Sequence, residues 1–114
     1  MKSMTNYNPG DVLLLPFPFS DVSNTKRRPA LVLAVAEKWG ELVCTMLTSS
    51  PQYYNEVVIS RWKEAGLLKP TVARIHRLFT IDAQLVIKTL GTLQKNDFEK
   101  IRLETIKLLQ NGRA

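Results

Sequence analysis

The chain has very few of the residues that build disulfides and membrane spans. Of its 114 residues only one is a cysteine, Cys44, so no internal disulfide can form. Cys44 lies in an apolar run, and we expect it to be a buried small hydrophobe in a protein of the reducing cytoplasm. No stretch approaches the roughly 18 apolar residues of a membrane span, and the first residues lack the apolar core of a signal peptide.

Motifs that indicate a cofactor or a catalytic triad are also absent from the sequence. There is no Cys/His cluster with metal-ligand spacing, no glycine-rich phosphate loop and no Ser-His-Asp set that can be recognised from spacing. With one histidine and one cysteine, a zinc site would have to be completed by carboxylates. The sequence therefore predicts an activity that needs no metal and no cofactor.

What the chain does have is positive charge and enough apolar residues for a core. The chain has 16 Lys and Arg residues and 10 Asp and Glu residues, which gives a formal net charge of +6, and 45% of its residues are hydrophobic. This length and composition predict one globular domain over residues 1–114. The charge favours an anionic partner, either a nucleic acid or an acidic protein segment, without deciding between them.

Apolar runs and turn residues predict a series of short strands followed by one helix. The predicted strands cover residues 11–15, 30–37, 41–47, 55–60, 71–78 and 85–93. The only long helix is predicted over residues 94–110, where apolar residues recur at helical spacing. A glycine inside the last strand, Gly91, indicates a bend or a close backbone contact. This order is typical of a small, strongly curved antiparallel sheet capped by a helix.

A basic cluster directly before a proline is the most informative stretch. Lys26, Arg27 and Arg28 precede Pro29, which opens an apolar run. The proline biases Arg28 away from helical backbone angles and favours an extended entry into a strand. A guanidinium group in that place can hold a phosphate bidentately and neutralise its charge. The alternative is a solvated basic loop without a ligand.

Three further residues could take part in chemistry. Thr48 ends the third predicted strand, where a hydroxyl can bind a ligand or simply cap a turn. His76 is the only histidine, and an imidazole is well suited to proton transfer near neutral pH, although a single strand histidine is often structural. Arg74 lies two residues before His76, so regular strand alternation would place both on one face.

In their order and spacing, these pieces resemble the MazF/PemK family of toxin ribonucleases from bacterial toxin–antitoxin pairs. The resemblance rests on residues 9–21, 27–33, 46–51, 66–67, 80–82 and 90–93, followed by the terminal helix. It implies a mainly β fold with a C-terminal helix, an SH3-like barrel of the CcdB/PemK type. It also implies cleavage of single-stranded RNA through the ribose 2′-hydroxyl, a homodimer and a cognate acidic antitoxin.

The resemblance also implies roles for single residues. In the family an arginine before this proline is catalytic, so Arg28 inherits that role, and Thr48 matches a threonine beside it. Arg74 matches an active-site arginine of some PemK-like members, whereas His76 stands where they carry an aspartate, which leaves the acid and base assignments open. The expected RNA contacts are Lys26, Arg27 and Ser49 for the backbone, and Phe17, Phe19, Tyr53 and Tyr54 for stacking on bases.

Two other classes of function remain open at this point. One is a noncatalytic CcdB-like toxin, which would inhibit a protein target such as DNA gyrase through its terminal helix. The other is an SH3-like nucleic-acid-binding or adaptor module without activity. Neither needs Arg28 beside Thr48, and only a nuclease would produce RNA fragments in the presence of EDTA.

Overall fold

The computed structural model describes residues 6–17 and 26–114, which form a six-stranded sheet and one long helix. The elements are β1 (Asp11–Phe17), β2 (Lys26–Ala36), β3 (Glu41–Thr48), β4 (Glu56–Val58), β5 (Val72–Asp82), β6 (Lys88–Thr92) and α1 (Lys95–Asn111). The strand order is β4-β5-β3-β2-β1-β6, and every neighbouring pair is antiparallel. The predicted mainly β fold with a C-terminal helix is confirmed. Within the described ranges the pairing ends at β4 and β6 without closing into a complete barrel.

Two apolar clusters explain why the central strands are nearly continuous apolar runs. Val12 and Leu31 belong to one cluster, and the adjacent Leu13 and Val32 belong to the other. Because successive residues of a strand point to opposite faces, these strands are buried on both sides. Cys44 lies in the second cluster with no exposed surface. Burial raises the pKa of its thiol to about 12, so the prediction of a buried cysteine is confirmed.

A close backbone contact joins the segment before β5 to strand β6. Gly66 has a φ of +84°, and a Cβ added there would overlap the carbonyl of Leu90. A Cβ added at Gly91 would overlap the carbonyl of Ala65 in return. The close contact predicted at Gly91 is confirmed, and only glycine fits at either position.

The helix α1 packs on β4 and β5 and holds the turn that leads to Gly66. Its buried Asp97 carboxylate accepts hydrogen bonds from the backbone N–H groups of Ser60 (3.1 Å) and Arg61 (2.9 Å). This segment forms hydrogen-bonded turns, in which the N–H of Ala65 donates to the carbonyl of Arg61 and the N–H of Gly66 to that of Lys63. In the described part of the chain, no helix is long and apolar enough to cross a membrane.

Two element boundaries differ from the prediction in ways that affect the functional residues. Strand β2 begins at Lys26, so the basic cluster belongs to a strand and not to a loop edge, because it pairs with the end of β1. In β5 the register against β3 shifts: Thr45 pairs with Leu78, whereas the next residue, Met46, pairs with Arg74. Residues 75–77 therefore form a bulge, and the predicted regular alternation of this strand is wrong.

Candidate active site

Arg28 and Thr48 lie together where two cavities meet. The last described pair of the β2–β3 ladder is Ala30 with Met46, and Pro29 has no N–H with which to extend it. Continuing the register by two residues places Arg28 opposite Thr48. Both side chains line both cavities, which we call together the cleft.

The smaller cavity of the cleft concentrates guanidinium groups. It has a volume of about 190 Å³. Its lining residues are Phe17, Arg28, Met46, Leu47, Thr48, Arg74 and Arg77. Three of these are arginines and, among the described residues, none is acidic. Guanidinium groups match the oxygens of a phosphate, so this cavity suits a phosphodiester group.

The larger cavity combines apolar side chains with cations. It has a volume of about 450 Å³. Its apolar lining includes Leu14, Pro29, Leu47, Leu67, Leu68 and Leu90. Its cations are Arg27, Arg28, Lys69 and Lys88, again without an acidic partner in the described lining. Apolar surface beside cations suits a nucleotide, whose base is flat and whose phosphate is charged.

The Thr48 hydroxyl is fixed by the turn that follows it. Its Oγ1 accepts a hydrogen bond of 3.0 Å from the N–H of Ser50, so this residue caps a turn as well as lining the cleft. A hydroxyl carries one donor and two acceptor lone pairs. The same oxygen can therefore accept from Ser50 and donate to a phosphate oxygen.

Arg74 is held from its backbone and from its side chain. Its carbonyl accepts a 2.7 Å hydrogen bond from the hydroxyl of the buried Thr45. Its Nε lies 3.6 Å from Oε2 of Glu56, and 27% of its side chain is exposed. These contacts fix the direction in which the guanidinium group enters the smaller cavity.

A family model that matches nearly the whole chain identifies the family of this protein. The model of the PemK-like, MazF-like toxins of type II toxin–antitoxin systems matches residues 8–109. The chain belongs to this family. No curated protein is a significant match to this PemK-like toxin in sequence.

Solved structures of MazF proteins and of a mycobacterial endoribonuclease share the fold of this PemK-like toxin. A MazE–MazF complex from Deinococcus radiodurans has a TM-score of 0.74 at 21% identity, covering 95% of this chain and 98% of that chain. An endoribonuclease in complex with its cognate antitoxin from a mycobacterial species has a TM-score of 0.73 at 14% identity, covering 91% and 95%. The toxin MazF-mt6 of Mycobacterium tuberculosis has a TM-score of 0.70 at 18% identity, covering 91% and 97%. At these identities, the likeness shows the fold.

The bulge in β5 separates the two β5 residues that the sequence grouped together. Arg74 lines the smaller cavity, whereas His76 is exposed and lines neither cavity of the cleft. Arg77, for which the sequence predicted no role, lines the smaller cavity in its place. No signal in this one sequence indicates the bulge, because it depends on how β5 meets β3 and β4.

The other predicted contact residues divide between the cleft and its surroundings. Those that line the cleft are Phe17, Arg27 and Ser49. Lys26 is exposed at the start of β2, paired with Phe17, and lines neither cavity. Tyr53 and Tyr54 are 84% and 77% exposed on the β3–β4 loop, and Phe19 lies outside the described residues.

Two lysines of the larger cavity, Lys69 and Lys88, were also missed. Both lie close in sequence to the glycines of the backbone contact between Gly66 and Gly91, which brings their segments together. That pair of glycines was the available signal, but it did not indicate which segments would meet.

Proposed function

We propose that this toxin is an endoribonuclease that cleaves single-stranded RNA without a metal ion and is neutralised by a cognate antitoxin. Family membership supports the toxin class. The observation that carries the cleavage is the pair Arg28 and Thr48 at the junction of two cavities, whose charged residues in the described lining are all cations. Such a cleft fits a flexible polyanion whose bases are unstacked.

The proposed reaction uses the substrate's own nucleophile. The ribose 2′-oxygen forms a bond to the adjacent phosphorus while the bond to the 5′-oxygen of the next nucleotide breaks. The 2′-hydroxyl loses its proton to a base, and the departing 5′-oxygen gains one from an acid. The products are a 2′,3′-cyclic phosphate and a 5′-hydroxyl. DNA lacks the 2′-hydroxyl, so it would bind without being cut.

In this reaction, negative charge grows on the nonbridging phosphate oxygens, and donors fixed in advance stabilise it most effectively. Arg28 and Thr48 would donate to these oxygens from the two opposing strands. Arg74 and Arg77 would supply further positive charge in the smaller cavity. His76, which lies on the bulge between these two arginines, would transfer a proton.

The remaining contacts would hold the RNA on either side of the scissile phosphate. The residues proposed for backbone phosphates are Lys26, Arg27, Ser49, Lys69 and Lys88. The residues proposed for base stacking are Phe17, Phe19, Tyr53 and Tyr54. Stacking on aromatic rings is worth about 1–3 kcal/mol per base, and it requires a single strand.

The decisive experiment incubates the purified protein with a long single-stranded RNA in the presence of EDTA. The proposal expects fragments with 2′,3′-cyclic phosphate and 5′-hydroxyl ends, and no cleavage of single-stranded DNA of the same sequence. Intact RNA would favour the noncatalytic toxin. That reading is supported by the exposure of Leu103 and Leu109 on α1, 53% and 68% respectively, which would then form a protein-binding surface.

Two partners complete the proposal. A homodimer would bring cations of two chains to one RNA, and light scattering at micromolar concentration should give twice the mass of the chain.

An acidic, disordered antitoxin segment would fold over the cleft and compete with RNA for Arg27 and Arg28. Saturating antitoxin should therefore stop cleavage. The substrate would be messenger RNA in the cytoplasm.

A further inference from the structure

The Glu56 carboxylate, which lines neither cavity of the cleft, contacts two elements that the proposed reaction needs. Glu56 begins β4, and only 6% of its side chain is exposed. Its Oε1 accepts from the N–H groups of Gln52 (3.0 Å) and Tyr53 (2.9 Å), and its Oε2 also accepts from that of Gln52 (3.0 Å). The same Oε2 lies 3.6 Å from Nε of Arg74. One carboxylate therefore binds the backbone of the β3–β4 loop, which carries Tyr53 and Tyr54, and also lies beside an arginine of the smaller cavity.

The loop that Glu56 holds includes a backbone conformation that Tyr53 does not favour. Tyr53 and Asn55 have φ angles of +69° and +56°, the only positive values at non-glycine positions in the described parts of the chain. A residue such as tyrosine avoids this left-handed region, whereas asparagine tolerates it, so surrounding contacts must maintain the conformation at Tyr53. The carboxylate supplies such contacts to Tyr53. The carbonyl of Asn55 accepts a 2.9 Å hydrogen bond from the N–H of Ile75 in the β5 bulge, which ties the loop to the bulge.

Arg74 depends on Glu56 in a different way. Its Nε is the one buried side-chain nitrogen or oxygen of the described residues that has no hydrogen-bond partner. At 3.6 Å, the carboxylate of Glu56 is an ion-pair neighbour and not a close hydrogen-bond acceptor. The charge of Glu56 therefore compensates the buried end of the Arg74 side chain, while the rest of the guanidinium group remains for the cavity.

From these contacts, we propose that Glu56 is a positioning residue that couples the Tyr53–Tyr54 loop to Arg74. It would hold the loop in its left-handed conformation and set the direction of the guanidinium group. The inference rests on the proposed function, because it gives Arg74 a role in cleavage. It is independent of that function in its structural part, which concerns only the loop and the ion pair.

The test uses Glu56→Gln, which keeps the shape of the side chain but removes its charge and replaces one acceptor oxygen by a donor. Glu64→Gln is the matched control, because Glu64 forms an exposed pair with Arg61 and lines neither cavity. Hydrogen exchange measured by NMR should become at least tenfold faster at the amides of Gln52 and Tyr53 and at Nε of Arg74. Exchange at core amides and all rates in the control should stay unchanged.

The kinetic half of the test is a double-mutant cycle on RNA cleavage. Glu56→Gln should lower kcat about tenfold in the parent protein and have little further effect on kcat in an Arg74→Ala background, because the two residues act through one contact. Glu56→Asp keeps the charge on a shorter side chain and should give an intermediate kcat. A merely structural role would instead lower the activity of both backgrounds equally.

The outcomes separate the two proposals. If the parent protein does not cleave RNA but the exchange rates change as expected, the proposed function fails and the structural coupling stands. Unchanged exchange at Gln52, Tyr53 and Arg74 would overturn the coupling even in an active enzyme. Accelerated exchange of the core amides would make Glu56 a folding residue, which also overturns it.

Discussion

The cleft and the outer face of α1 carry similar numbers of charged residues but arrange them in opposite ways. On α1, cations lie beside acids one turn away: Nζ of Lys107 is 3.5 Å from Oε1 of Glu104, and Nη1 of Arg102 is 3.5 Å from Oε2 of Glu99. In the cleft, cations from β2, β5, β6 and the segment before β5 line cavities whose described lining has no acid. Among the described residues, six cations therefore come together in the cleft without an acid in its lining.

This difference separates charges that solubilise the surface from charges that bind a ligand. Exposed pairs at i,i+3 contribute only a few tenths of a kcal/mol each. Crowded cations repel one another in the free protein, and an anion that binds among them removes this repulsion. Variants at the two regions should therefore behave differently, with large effects on activity in the cleft and almost none on the helix face.

The largest contrast is expected between Arg28→Ala and Lys107→Ala. Loss of one preorganised donor at a reacting centre typically costs about 10²–10³ in rate, and Arg28 lines both cavities. Lys107 is an exposed member of an i,i+3 pair, so its loss should leave the cleavage rate within about twofold. Single-turnover cleavage of one RNA by both variants provides the measurement.

Growth under induced expression gives the same comparison in cells. Cells should tolerate Arg28→Ala, whereas Lys107→Ala should remain toxic. Arg28 is exposed at the start of β2, so its removal should leave the circular dichroism and the thermal midpoint close to those of the parent protein. A folded and fully toxic Arg28→Ala would show that the wrong arginine has been assigned.

The second contrast concerns His76, which lies in the β5 bulge between Arg74 and Arg77 and lines neither cavity. General acid–base catalysis contributes about 10²–10⁴ in rate, and a residue outside both cavities should fall at the low end, about 10². Glutamine keeps a polar side chain but cannot transfer a proton, so His76→Gln should slow single-turnover cleavage. A rate equal to that of the parent would remove His76 from the mechanism and leave the cleft arginines as the site.

Only part of the site could be predicted from the sequence. The strands β1 and β2 were predictable because burial on both faces makes them continuous apolar runs. Pro29 and a strand end mark the positions of Arg28 and Thr48, but the expectation that they lie side by side came from the family resemblance. A role for Arg77 was not predictable, because the β5 bulge depends on contacts with distant segments, such as the hydrogen bond from the N–H of Ile75 to the carbonyl of Asn55 in the β3–β4 loop.

Two cations of the larger cavity were not predicted either, because they come from segments that are separated along the chain. Lys69 and Lys88 come from segments that the tight approach of Gly66 and Gly91 brings together. A glycine in a sequence indicates that the backbone needs room, but it does not identify the partner that fills it. Such a tertiary contact accounts for two of the four cations that line the larger cavity, Lys69 and Lys88.

A third, smaller contrast is expected between Thr48→Val and Thr80→Val. Valine keeps the shape of threonine but removes the hydroxyl that would donate to the phosphate. A hydrogen bond to a charged group is worth about 1.5–3 kcal/mol, so Thr48→Val should slow cleavage by roughly 10- to 100-fold. Thr80 is an exposed residue of β5 outside both cavities, and its valine variant should cleave at the rate of the parent. Equal rates for both variants would exclude a role for the Thr48 hydroxyl.

The smallest effects should come from the lysines, and they should appear in binding and not in the chemical step. Each phosphate contact to a single strand contributes about 0.7 to the slope of log affinity against log salt concentration. Lys69→Ala and Lys88→Ala should each reduce that slope by about 0.7 and weaken binding severalfold at low salt, with the cleavage rate at saturation unchanged. Lys100→Ala, on the face of α1 beside Glu104, is the matched control and should leave the slope as it is. The titration uses RNA with 2′-O-methyl groups, which binds without being cut. If all three variants lowered the slope equally, RNA would follow the overall charge of the protein, and the distinction between the cleft and the helix face would be lost.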